Sequence, residues 1–357
     1  MPNPEVTDDI RPQALARFDA IIDVRSPAEF AEDHVPGAVN LPVLSNEERA
    51  IVGTIYVQES RFKARRVGAA LVARNVAHHI ETALADRDGA FMPLVYCWRG
   101  GQRSGAMATI LAQVGWRTSV LAGGYKTYRR WVQKRLYEDP LPLKLALLDG
   151  GTGVGKTQLL PLLAQRGVQV VDLEGLAGHR GSLFGGIMGQ AQPSQKMFES
   201  RLLAALDALD PARPVVVEAE SSKIGDRMTP PALWSQMLAA PRLELAAPRE
   251  RRARYLVATY GDIIRDRPAL DEALGRLPVY PGRQRLQDWA QLADAGQFEA
   301  LAEALMELHY DPAYERSSRK DTRPRLGRIE LSDLTPTDQA KAADQAAALL
   351  KAHFGGL

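Results

Sequence analysis

Leu145-Ala146-Leu147-Leu148-Asp149-Gly150-Gly151-Thr152-Gly153-Val154-Gly155-Lys156-Thr157 runs from an apolar segment straight into a glycine-rich turn. From Gly150 onward it fits G-x-x-x-x-G-K-[ST] without mismatch. The apolar run predicts a buried strand, and the turn predicts a helix beginning near Lys156. In that context the backbone amides of Gly150, Gly151, Thr152, Gly153, Val154 and Gly155 cradle a diphosphate. Lys156 reaches across it, and Thr157 can ligate Mg²⁺. The usual ligand of such a loop is a nucleoside triphosphate, but the amides recognise phosphate and not the base.

Downstream, Val168–Val171 and Val215–Val217 read as further buried strands. The second of these ends in Glu218-Ala219-Glu220. Glu218 and Glu220 suit a metal-directed or base role opposite the phosphate loop, or else are solvated carboxylates at a helix start. Asp172 and Glu174 close the preceding strand and carry the same two readings. His179-Arg180-Gly181-Ser182-Leu183-Phe184-Gly185 follows them. A glycine-rich loop with His179 and Arg180 beside a phosphate site could hold a second anion, or could be an ordinary surface loop.

The first half repeats the strand–helix alternation. Ala20–Val24, Leu94–Tyr96 and Ser119–Leu121 read as strands, and Ala64–Val76 and Ser104–Val114 as helices. Alternation of this kind makes an α/β chain with mainly parallel sheets flanked by helices, whose sites sit at the carboxyl ends of the strands. Glu138-Asp139-Pro140-Leu141-Pro142 cannot continue a helix. The reading is therefore a first domain over 1–138, a linker at 139–143 and a second domain over 144–357.

Cys97 occupies the end of the second of those first-half strands, in Val95-Tyr96-Cys97-Trp98-Arg99-Gly100-Gly101-Gln102-Arg103-Ser104. A strand-to-helix loop of this kind turns successive amides inward, and the helix adds its positive end. Such a loop binds an oxyanion and lowers the pKa of a thiol held in it. Trp98, Arg99, Gly100, Gly101 and Gln102 form the loop, and Arg103 can add a planar charged clamp. An inert buried cysteine is the competing reading.

The chain has 357 residues, 45 Lys+Arg against 43 Asp+Glu, and a single cysteine. That length suggests two domains. Near-neutral charge excludes a tail-driven nucleic-acid binder, and one cysteine excludes an intrachain disulfide. The polar, acidic start and the lack of a long apolar run predict a cytoplasmic protein without signal peptide or membrane span. The basic residues are nevertheless clustered. Arg117–Arg135 is one group; Arg249, Arg251, Arg252 and Arg254 lie on a predicted helix; Arg316–Arg328, with Arg319, Lys320 and Arg323, reads as a loop broken by proline. Such clusters can neutralise an RNA backbone; a solvated charged face is the competing reading of any one of them, and the plainer one.

The cysteine loop resembles that of a rhodanese domain. Asp23-Val24-Arg25-Ser26-Pro27-Ala28-Glu29-Phe30, His34-Val35-Pro36-Gly37-Ala38-Val39-Asn40-Leu41-Pro42 and Leu121-Ala122-Gly123-Gly124-Tyr125 are similar to the other marks of that domain. Five residues separate Cys97 from Arg103, one more than in the usual short rhodanese loop. The longer loop leaves room for more than sulfane sulfur, and it also matches the spacing of cysteine phosphatases.

A rhodanese-like domain followed by a P-loop NTPase-like domain resembles the tRNA 2-selenouridine synthases over essentially the whole chain. His179-Arg180-Gly181-Ser182-x-Phe184-Gly185 and Glu218-Ala219-Glu220-Ser221 are similar to that family's pattern. The resemblance implies an enzyme that geranylates wobble 2-thiouridine in tRNA with geranyl diphosphate. It then exchanges the geranylthio group for selenium from selenophosphate. It implies a selanyl intermediate on Cys97, the phosphate part held by Arg103 and the loop amides, and the prenyl diphosphate held by the phosphate loop. It also implies Mg²⁺ as an aid, the tRNA anticodon arm on the basic clusters, and a supplier of selenophosphate as a partner. Two rivals stay open at this stage: an ATP-driven rhodanese-type sulfurtransferase acting on tRNA, and a cysteine phosphatase fused to a small-molecule kinase.

Overall fold

In the computed structural model, residues 3–182, 185–187, 189–275, 277 and 282–356 are described. The chain divides into two compact units, Met1–Asp139 with Ser194–Asp207, and Pro140–Pro193 with Ala208–Leu357. Both are α/β, and each is built on a five-stranded sheet whose strand pairs are all parallel.

In the first unit the strands are β1 (Glu5–Thr7), β2 (Ala20–Asp23), β3 (Val39–Asn40), β4 (Pro93–Tyr96) and β5 (Ser119–Leu121), in the order β1-β5-β4-β2-β3. β4 is central and buried along its whole length, which fixes the stretch that follows it, Cys97 onward, at the carboxyl edge of the sheet. The core is the apolar set of these strands with Val72 and Val76 of the helix Arg61–Glu81 and Met107 and Leu111 of the helix Gln102–Val114. Ser26 with Glu29 and Ser45 with Glu48 form capping boxes that start two of the helices where the sequence turns from strand to loop.

The second unit holds β6 (Lys144–Gly150), β7 (Gln169–Val171), β8 (Pro214–Glu218), the antiparallel pair β9 (Lys223–Ile224) and β10 (Arg227–Met228), β11 (Arg242–Ala246) and β12 (Arg325–Glu330). The sheet order is β12-β11-β6-β8-β7. β6 and β8 are buried runs of apolar residues, as strands covered on both faces must be. The chain winds outward in both directions from β6, so the phosphate loop after it lies where the strand order reverses. The alanine stripe Ala342, Ala343, Ala346 and Ala347 of the helix Pro336–Phe354 lets that helix lie close on the core beside Lys156–Gln165. Residues 261–320 form a helical region with its own apolar cluster around Leu270, Trp289 and Leu301.

Two expectations need correction. The stretch 316–328 is not a loop. Arg316–Lys320 ends the helix Asp311–Lys320, and Arg325–Glu330 is an edge strand. Proline ends the helix without preventing a strand on its far side. The arginines at 325 and 328 pair with Glu244 on β11, so charge pairing across the strands makes a strand from a sequence with little apolar content. The division of the chain also differs from the expected 144–357 block. Helix Gln195–Asp207 belongs to the first unit, where it packs against Tyr125–Gln133. Phe198, Leu202 and Leu203 are buried, Tyr137 donates to Glu199 at 2.7 Å, and Arg135 pairs with Asp207 at 2.9 Å.

Candidate functional site: two anion loops

The Cys97 loop is assembled by three sequence-distant segments. Gly100 and Gly124 have φ of +63° and +57° and approach each other so closely that a Cβ on Gly124 would lie 2.2 Å from the Cys97 carbonyl oxygen. The Tyr125 amide donates to that carbonyl at 2.8 Å, and the Lys126 amide donates to Trp98 O at 3.2 Å. Leu121–Tyr125 therefore braces the back of the cysteine loop. Behind it, Arg25 is buried against Asp23 at 2.6 Å and lies 4.1 Å from the Tyr125 ring centre, while the Tyr125 hydroxyl donates to Asp33 at 2.7 Å. The three motifs of the first half thus meet around one satisfied buried cation.

Cys97 is 4% exposed. Gly101 N–H donates to it at 3.3 Å and the Ser104 hydroxyl at 3.2 Å. Burial alone pushes the thiol pKa up. The Ser104 hydroxyl and the amides of Ser104, Arg99 and Gly101 more than offset this, and the thiol ends below its usual value. Such donors favour the thiolate over the thiol. Ser104 carries no sequence signal beyond its place in the first turn of the following helix.

Arg103 does not stand alone over the loop. Its guanidinium grips Glu29 at 2.7 and 3.2 Å, and Arg49 approaches the same carboxylate at 3.4 Å. Burial works against that charge, but Arg103, the Ser26 amide and Arg49 hold Glu29 down at about 2. A phosphate at the loop would meet an arginine already oriented by a carboxylate. Trp98 lies 5.2 Å from Tyr125, ring centre to ring centre, while Arg99 and Gln102 are exposed.

The phosphate loop turns on Gly150, Gly153 and Gly155, with φ of +152°, +84° and +81°. Lys156 Nζ donates to Gly150 O at 3.2 Å, folding back over the loop. Thr157 Oγ1 lies 3.0 Å from a Glu174 oxygen and 2.8 Å from a Glu218 oxygen. A hydroxyl has one proton to give, so the second contact requires a carboxyl proton. Both glutamates are raised well above the usual carboxylate range. Burial is the first cause for each; Glu218 and Glu220 add repulsion at Glu174, and Asp172 and Glu220 at Glu218. Burial and mutual repulsion thus favour the protonated form of this pair.

Glu220 and Arg180 line the same cavity of about 400 Å³ as Lys156, Thr157 and Glu174. Arg180 is held bidentately by Asp262 at 3.1 and 2.9 Å, under the Tyr260 ring. His179 instead shapes the loop: its Nδ1 accepts from Gly181 N–H at 3.2 Å, and Gly185 and Gly225 leave room for its ring. Burial keeps it below the usual histidine pKa and so neutral. Asp172 is a helix cap, accepting from Gly175 N–H at 2.7 Å. Leu183 and Phe184 of the same motif lie outside the described residues.

The basic clusters fare unevenly. Arg252 is 8% exposed, donates to Thr152 O at 2.8 Å and pairs with Asp311 at 2.6 Å. Arg323 is wrapped on Asp321 and Met237 O. These two are corrections: they brace the phosphate loop and the turn before β12 instead of facing solvent. A count of charges cannot distinguish a buried arginine from a free one. Arg249, Arg251 and Arg254 also face acids, at 3.1, 3.1 and 3.3 Å, and Arg319 faces Glu315 at 3.1 Å. Lys320 is exposed. Among the described residues no group of three or more His, Cys, Asp or Glu is arranged to hold a metal, and no helix is long and apolar enough to cross a membrane.

With both loops in place, comparison with known proteins is decisive. A protein of Cupriavidus pinatubonensis named tRNA 2-selenouridine synthase is 33% identical over 337 residues, covering 84% of this chain and 89% of that one. The chain belongs to the tRNA 2-selenouridine synthase family. Residues 143–273 match that family's AAA domain, and residues 8–130 match the rhodanese-like domain. A synthase of the same name from Nitrosomonas europaea is 36% identical over 241 residues, covering 66% of this chain and 62% of its own. One from Sulfurovum is 38% identical over 235 residues, covering 65% and 63%. The match thus spans somewhat less than two thirds of those last two family members.

Proposed function

We propose that the protein is a tRNA 2-selenouridine synthase working in two steps at two loops. In the first, the 2-thio sulfur of a wobble uridine attacks C1 of geranyl diphosphate. The C–O bond breaks and diphosphate departs. Lys156 and the loop amides stand where that leaving charge accumulates. Thr157, Glu174 and Glu218, which meet at one hydroxyl, are the residues that would hold Mg²⁺. The extra proton held by the two glutamates is what a divalent cation would displace. When bound, the ion would supply charge neutralisation of the leaving group.

In the second step selenium from selenophosphate replaces the geranylthio group at C2. Alkylation has by then turned a poor thiocarbonyl leaving group into a departing thiol. Cys97 attacks the phosphorus of selenophosphate: an S–P bond forms as the P–Se bond breaks. Hydrogen selenide leaves and attacks C2 to expel the geranylthiol, and water then hydrolyses the phosphocysteine. The Gly101, Ser104 and Arg99 amides, with Arg103, hold the phosphate part. The basic faces hold the anticodon arm, the helix face bearing Arg249, Arg251 and Arg254 among them, with Arg319 and Lys320.

The observation that carries this reading is the Cys97 thiol, buried yet acidified by loop donors, in a chain that also carries an intact phosphate loop. The test is mass spectrometry of nucleosides from tRNA bearing wobble 2-thiouridine, incubated with the pure protein. A geranylated nucleoside with geranyl diphosphate and Mg²⁺, and a selenonucleoside when selenophosphate is also present, are expected. No change in either case, with ATP consumed in their place, overturns the proposal for the ATP-driven sulfurtransferase. The mass of Cys97 after selenophosphate treatment tests the thiol step: a phosphoryl adduct without the selenium isotope pattern is expected, and an unmodified thiol or a selanyl adduct overturns it.

A further inference from the structure

An apolar pocket of about 80 Å³ opens beside the phosphate cavity. The two share Thr152, Ser182, Leu256 and Tyr260 as a common wall. Beyond that wall the pocket is lined by Val257, Ile264, Phe298, Leu301 and Leu305 of the helical region and its neighbour. Leu301 and Leu305 form a buried floor, while Leu256, Val257, Ile264 and Phe298 are only half-buried. Well-packed interiors seldom leave such side chains facing a void.

The lining decides which ligand it suits. A nucleobase brings several hydrogen-bonding edge atoms, and burying them without partners is costly. Ser182 Oγ and the Tyr260 hydroxyl are engaged with each other at 2.7 Å, which leaves Thr152 and Tyr310 as the other hydroxyl-bearing residues of the lining. The remaining lining side chains named above are hydrocarbon. A phosphate-loop ligand whose far end enters this pocket would lose affinity if that end were a base and gain it if that end were a hydrocarbon.

We infer that this pocket receives the hydrocarbon tail of a prenyl diphosphate whose diphosphate lies on Gly150–Thr157, and that Val257, Phe298 and Leu301 set the preference for a long tail over a short one. The inference rests on the proposed function, because it takes the phosphate-loop ligand to be a diphosphate. The Tyr260–Ser182 pair then stands at the junction of head and tail, and Arg180, pinned by Asp262 under the Tyr260 ring, holds that junction in place.

The test is titration calorimetry of the full chain with Mg²⁺ and three probes: geranyl diphosphate, dimethylallyl diphosphate and inorganic diphosphate. Each buried methylene is worth roughly a fourfold gain in affinity, so even two further carbons covered by the pocket predict a geranyl preference on the order of tenfold or more. The geranyl titration should also show a more negative heat-capacity change. Ala302 lines the pocket and is half-buried, so Ala302→Phe fills the space instead of emptying it. Ala302→Phe and Val257→Asp should each abolish the preference while inorganic diphosphate binds as before. That retained binding also reports that the variant is folded. Lys156→Ala should weaken all three probes together. Equal affinity for the two prenyl diphosphates, or a geranyl preference that survives both pocket variants, overturns the tail pocket and leaves the diphosphate reading standing. Binding of ATP with none of the three probes overturns both.

Discussion

The two loops share one plan and differ in what they do to charge. Each follows a strand at the carboxyl edge of a parallel sheet, turns on glycines with positive φ and opens a helix. The Cys97 loop surrounds its sulfur with donors and so draws a proton off it. The phosphate loop faces buried carboxylates that repel one another and so keep a proton on. The first is ready for an anion or a thiolate as it stands. Similar backbones can thus be tuned to opposite proton affinities by the side chains across from the loop.

The largest effect expected from breaking this contrast is on catalysis. Cys97→Ala should abolish selenonucleoside formation and leave geranylation intact, while Lys156→Ala should lower geranylation by roughly a hundred- to a thousandfold. Nucleoside mass spectrometry with each substrate added separately reads both. Loss of both products in Cys97→Ala, or failure of Lys156→Ala to convert already geranylated tRNA to the selenonucleoside, would mean that the loops do not divide the work.

Next is a matched pair of glycines. A Cβ at Gly124 meets the Cys97 backbone at 2.2 Å, whereas one at Gly153 meets the Leu256 side chain at 2.9 Å. Both positions have positive φ. Backbone cannot retreat as a side chain can, so Gly124→Ala should cost about 3 kcal/mol and Gly153→Ala about 1 kcal/mol less, read from urea midpoints. Equal losses would show that the brace behind Cys97 is softer than its packing implies.

The carboxylates give a pH signature. Their folded pKa values lie above the ordinary glutamate value of 4.5, so the folded state binds more protons than the unfolded one as pH rises past that value. Stability should therefore fall with rising pH from there upward, until the folded-state groups have ionised. Glu218→Gln should flatten that slope in melts taken between pH 4.5 and about 9, the span from the ordinary glutamate value to the raised value of Glu174. Mg²⁺ with diphosphate should flatten it in the native chain. A slope unchanged by both would remove the proton from the phosphate site.

The smallest effect is on the thiol. Ser104→Ala removes one donor to sulfur, so the pH at half-maximal alkylation by iodoacetamide should rise by about one unit. No shift would assign the acidification to the amides alone.

Legibility in the sequence followed contiguity. The phosphate loop and the cysteine loop are unbroken strings, and both stand where their strings placed them. β6, β8 and β4 were readable as apolar runs because both of their faces are buried. β12 was not, since its edge position lets Arg325 and Arg328 pair with Glu244 instead of packing. Glu174 gains its importance only from Glu218, 44 residues on, which the fold brings to the same hydroxyl. Arg252 was misread because a basic cluster on a helix has the same composition whether it faces water or supports Thr152. The apolar pocket is invisible in the string altogether, since its lining comes from helices that each look like ordinary core.

The helix Gln195–Asp207 sets an order of events during synthesis. The first unit lacks Phe198, Leu202 and Leu203 until that helix has left the ribosome, by which time the whole segment from β6 through Glu174 has already emerged. A nascent chain cut off at Asp139 would display the bare face of Tyr125–Gln133 to solvent. The cysteine half is therefore finished only after the phosphate loop has been made, and a gene split at the interdomain prolines would not yield two self-sufficient products.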